Sequence, residues 1–88
     1  MAVIARERAH EESFRGGGRV VKGEEYFGRL AANALKVLSS SPFPLSAREI
    51  ADLAGLKLTE VYAALGWLAR EGRVEIIHSG RRTLFRLA

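Results

Sequence analysis

The chain has 88 residues and a mass of 9.7 kDa, enough for one domain and too little for a second core or for an enzyme fold built on a large parallel sheet. Apolar residues make up 48% and charged residues 27%, which excludes a disordered chain; no apolar run approaches the ~20 residues of a membrane helix, and the absence of cysteine removes disulfides, thiolate metal sites and thiol nucleophiles. Fourteen Lys and Arg against 10 Asp and Glu give a net charge of +4 and a pI of about 10.1, which favours polyanionic partners.

The charge is unevenly placed. Residues 1–23 hold five basic and three acidic groups, residues 24–72 five and six, and residues 73–88 four basic groups against Glu75 alone. Basic charge therefore collects at the two ends. Met1 to Ala5 are followed by Arg6, Glu7 and Arg8, without the apolar stretch of a secretory signal, so a cytoplasmic protein is expected. Arg outnumbers Lys 11 to 3, Gln is missing and Asn33 is the one Asn, a profile in line with a thermophile.

Residues 1–23 read as a flexible basic arm, because Gly16-Gly17-Gly18 loses too much backbone entropy to hold regular structure cheaply. Arg15, Arg19 and Lys22 are its candidate nucleic-acid contacts, and a plain linker is the alternative. The domain is expected over residues 24–88. Its first helix, about 24–39, places Phe27, Leu30, Ala31, Ala34, Leu35 and Leu38 on one face and ends at Pro42 and Pro44. Ser46 and Glu49 form a capping box that opens a second helix, which Gly55 closes. Thr59 is the expected N-cap of a third helix, with Val61, Ala64, Leu65, Leu68 and Ala69 on its inward face and Gly72 as its C-cap. A four-residue turn around Gly55 joins these two helices in a helix-turn-helix. After Gly72 the period becomes two, and Ser79-Gly80 is the expected turn of a β-hairpin. The pattern predicts a mainly α winged helix-turn-helix, three helices plus a two-stranded wing.

The run from Val61 through Tyr62, Gly66, Trp67, Leu68, Glu71 and Gly72 to Val74 closely resembles the third helix and wing entry of a family of small bacterial and archaeal winged helix-turn-helix proteins of unknown function. The similarity extends more loosely over Gly28 to Ala88 and leaves residues 1–23 uncovered. It implies the fold and a tendency to pair as homodimers, and brings no established activity.

With the core face of the third helix set, Thr59, Ala63, Gly66 and Arg70 fall on the opposite side, flanked by Tyr62 and Trp67. Base-edge readout by such a helix uses Arg, Lys, Asn or Gln in its first turns. Here those turns offer Thr59 and Glu60, so strong sequence specificity is not expected. The wing carries His78, Arg81, Arg82 and Arg86, suited to phosphates. Tyr62, Ala63, Gly66 and Trp67 are instead the candidate protein interface, with Trp67 either an interface anchor or a core residue. His10 and His78 are the two histidines, His10-Glu11-Glu12 lacks a second histidine at helical spacing, and Gly16-Gly17-Gly18 lacks the Lys-Ser/Thr of a phosphate-binding loop. No catalysis, cofactor or metal is expected. The leading expectation is a homodimer that binds nucleic acid, DNA ahead of RNA; the rival is an adaptor that binds a protein through the third helix.

Overall fold

In the computed structural model, which describes residues 18–88, helix α1 (Gly23–Ser40) carries acidic Glu24 and Glu25 in its first turn, where the helix dipole favours them. It begins one residue earlier than its apolar period and so takes in Gly23, the last residue assigned to the arm. Residues 18–22 precede it as exposed chain without regular secondary structure. Arg15 and the glycines Gly16 and Gly17 lie outside the described residues.

A short strand β1 (Leu45–Ser46) leads into α2 (Ala47–Ala54), followed by α3 (Leu58–Arg70) and the strands β2 (Val74–Ser79) and β3 (Arg82–Leu87). The predicted capping box is formed. Ser46 Oγ accepts from the Glu49 amide at 3.1 Å and the Ser46 amide donates to Glu49 Oε1 at 2.8 Å. Gly55 adopts the left-handed conformation, φ 68°, that ends α2. Asn33 donates its amide to the Ala54 carbonyl at 3.2 Å, which ties the middle of α1 to the end of α2.

One core joins the three helices. Ala31, Ala34 and Leu38 of α1 meet Ile50 and Ala51 of α2 and Val61, Ala64, Leu65 and Leu68 of α3, with Leu45, Ala47 and Phe85 completing it. Of the α3 residues assigned inward from its 3.6-residue period, Val61, Ala64, Leu65 and Leu68 are buried and Ala69 is exposed, and the C-cap is Glu71, one residue before Gly72. On α1 the assignment holds only where another element covers the helix: Leu30 and Leu35 are half-buried, and Phe27, although on the same line as Ala31 and Ala34, is 40% exposed. Helical periodicity fixes a face without saying how far along it the core extends.

Three local expectations are corrected. The helix-turn-helix connection is three residues, Gly55 to Lys57, because α3 starts at Leu58 with Lys57 as N-cap. Thr59 therefore lies inside the first turn; the Lys57 amide is satisfied from within the helix, donating to Glu60 Oε1 at 2.8 Å. The hairpin turn is Gly80-Arg81, with Ser79 opposite Arg82, since Gly80 has φ 61° and a two-residue turn of this kind takes glycine at its first central position. The expected two-stranded wing, β2 and β3, is present, and β1 extends it to an antiparallel sheet in the order β1-β3-β2. Pairing of Leu45 with Phe85 and of Ser46 with Leu84 anchors the wing to the start of α2.

Candidate nucleic-acid interface

The exposed side of α3 is almost free of cations. Thr59, Tyr62, Gly66, Ala69 and Arg70 are exposed, and Ala63 and Trp67 are half-buried. Trp67 packs against the core cluster with part of its side chain and is half-buried. Tyr62 is 56% exposed and Ile76 of β2 53%. Between them runs a groove of about 350 Å³, lined by Tyr62, Gly66 and Ala69 of α3 and by Val74, Ile76 and Phe85 of the wing. Its lining is mostly hydrocarbon, with His78 and Thr83 of the wing as the polar members. Such a lining suits a protein side chain better than a phosphate, which needs donors.

The wing holds the basic side chains, but they differ in electrostatic state. Arg86 Nε donates to Glu75 Oε1 at 2.9 Å, directly across the β2–β3 register. Arg82 stands 3.6 Å from Glu49 Oε1. Arg81, in the turn, has no ion pair among the described residues, and neither has Arg70. His78 sits opposite Thr83, whose hydroxyl lies 3.4 Å from His78 Nδ1. Arg19 and Lys22 are exposed on the segment before α1. The structure thus brings His78, Arg81, Arg82 and Arg86 together on one hairpin and leaves Arg70, Arg19 and Lys22 on other elements.

Glu49 joins two parts of the fold. Its carboxyl is held below its ordinary value, first by the Ser46 amide and then by the Ser46 hydroxyl, partly offset by desolvation, with the smallest contribution from Arg82. As a capping residue it was legible in the sequence; as the acceptor for Arg82 it was not, because that contact needs the β1–β3 pairing. Glu75 was missed for a related reason. A turn at Ser79-Gly80 would set Glu75 opposite Leu84, whereas the observed register sets it opposite Arg86.

Among the described residues no group of three or more His, Asp or Glu could hold a metal ion, and no helix is long and apolar enough to cross a membrane.

Several solved structures share this architecture. A Bacteroides thetaiotaomicron protein, solved in solution, superposes with a TM-score of 0.70 at 24% identity over 75% of this chain and 79% of its own. A homodimeric winged helix-turn-helix DNA-binding domain from Mycobacterium bovis, a possible ArsR-family transcriptional regulator, gives 0.58 at 22% identity over 82% and 75%. The PcaV transcriptional regulator of Streptomyces coelicolor gives 0.59 at 20% identity over 99% of this chain and 60% of its own. At these identities the likeness is one of fold. A search of curated proteins finds no match. The family model described as Winged helix-turn-helix domain (DUF2582) matches residues 25–87, from the first turn of α1 to the end of β3, and the chain belongs to that family.

Proposed function

We propose that this protein is a non-enzymatic nucleic-acid-binding homodimer, a transcription regulator or chromosome-associated protein of the cytoplasm. It holds duplex DNA chiefly through phosphate contacts and reads little sequence. The observation that carries this reading is the concentration of His78, Arg81, Arg82 and Arg86 on one hairpin, beside an α3 that presents Thr59, Gly66 and Arg70 in place of base-reading amides. Arg15, Arg19 and Lys22 add basic charge ahead of α1. The regulator folds of Mycobacterium bovis and Streptomyces coelicolor lend support by analogy. The test is to titrate the full chain into unrelated duplexes, and into RNA of matched length, over a range of salt. Affinities on the duplexes within a few-fold of one another, with steep salt dependence, are expected. A single strongly preferred sequence would contradict the claim of low specificity.

A second reading is favoured by the mostly apolar groove between α3 and the wing, which suits a protein partner. Gly66 lines it with open space where a Cβ would stand, so Gly66→Glu should fold normally and block it. If Gly66→Glu abolished capture of a partner protein while Arg81→Ala had no effect on that capture, the adaptor reading would replace the first.

A further inference from the structure

On α1, Glu25 and Arg29 are four residues apart and share a face; at ~100° per residue it lies opposite Ala31, Ala34 and Leu38. The segment before the helix borders that face. Arg19, Val20, Val21, Lys22, Glu25 and Arg29 line a shallow cleft of about 310 Å³. Three cations face one carboxylate there. Among the described residues the ion pairs are those of Arg82 with Glu49 and Arg86 with Glu75, so none of the three cations is neutralised by a described carboxylate. Glu25 is well placed along the helix to pair with Arg29 but does not.

We propose that Arg19, Lys22 and Arg29 form a second phosphate-binding site, which holds the backbone of the same nucleic acid independently of the wing. The proposal rests on the nucleic-acid reading above and adds Arg29, a residue of the folded helix that charge counting along the chain did not single out. All three cations are exposed. A small anion bound there keeps most of its water and gains little, because exposed charges are screened within ~8 Å at physiological salt. A polyanion gains by releasing its condensed counterions, one for each phosphate neutralised. Arginine adds a planar donor fork that matches a phosphate in bidentate fashion. The cleft therefore suits a phosphodiester backbone and not a free phosphate.

The test uses the full chain, a duplex of arbitrary sequence and its salt dependence. Relative to wild type, the Arg19→Ala/Lys22→Ala/Arg29→Ala variant should lower the slope of log affinity against log salt by roughly 0.9 for each lost contact. The loss should add to that caused by Arg81→Ala. E25Q should tighten binding at low salt several-fold, and unchanged thermal midpoints should accompany all of these exposed substitutions. An unchanged slope in the triple variant, with a reduced slope in Arg81→Ala, overturns the second site and leaves the wing reading standing. Absence of duplex binding by the intact chain overturns both. A triple variant that loses binding to anionic lipid vesicles, while its duplex binding stays unchanged, assigns the cleft to a membrane surface and also overturns the proposal.

Discussion

Arg81, Arg82 and Arg86 are neighbours on one hairpin, and their charges are not equally available. Arg82 and Arg86 each contact a carboxylate that a phosphate would have to displace, whereas Arg81 has no such partner among the described residues. Exposed pairs of this kind are worth ~0–1 kcal/mol, so they reduce a phosphate contact without preventing it. Arg81→Ala should accordingly lower duplex affinity more than Arg82→Ala, as read by fluorescence anisotropy at low salt; the reverse order would mean that Glu49 does not hold Arg82 in solution. Glu49 also predicts a pH effect. Its folded-state value is depressed, so its contribution to stability is present above the unfolded-state value and lost as pH falls through the lower, folded-state one. Thermal midpoints measured across the acidic range should fall more steeply for wild type than for Glu49→Gln. Burial sets a third expectation. Leu68 is 1% exposed and Leu65 4%, and each change to Ala should cost about 2–5 kcal/mol by denaturant titration. Leu35 is only half-buried and should cost less than either.

The elements differ in how well the sequence announces them. Helix α3 is legible because its apolar period, its inward face and its exit before Gly72 all agree, and α2 because its capping box is local chemistry. The strand β1 was invisible: two residues, Leu45 and Ser46, show no periodicity, and their pairing partners Phe85 and Leu84 lie far along the sequence, beyond two helices. The turn was misplaced because Ser-Gly and Gly-Arg are both acceptable hairpin dipeptides, and the strand register, with Ser79 opposite Arg82, shows which is used. That one-residue error hid the Glu75–Arg86 pair. The wing charges were legible as a set; their partition into paired and unpaired groups was not, since it depends on register and on β1. Gly80→Val tests the turn. A branched residue at positive φ should destabilise by roughly 1–2 kcal/mol and weaken duplex binding by displacing Arg81, both measurable on one purified variant. A full-affinity variant would show that the turn's geometry does not position the contact.

At the scale of the molecule, a small core formed largely by alanines and leucines, without disulfides, supports an exposed apolar groove beside α3 and basic groups on the wing and around the start of α1. These surfaces suit different partners: the groove a protein, which includes a second copy, and the cations a polyanion. Sedimentation should show a dimer, and Gly66→Glu should leave the thermal midpoint near wild type while shifting the protein to monomer if the groove is the self-association surface. The central claim is the phosphate contact of the wing. Its most direct test is duplex affinity against salt concentration for the intact chain and for Arg81→Ala/Arg82→Ala. The variant should bind more weakly on every duplex tried, with a slope reduced by roughly one unit for each lost contact. Equal affinity of the two proteins for duplex DNA at low salt would contradict it.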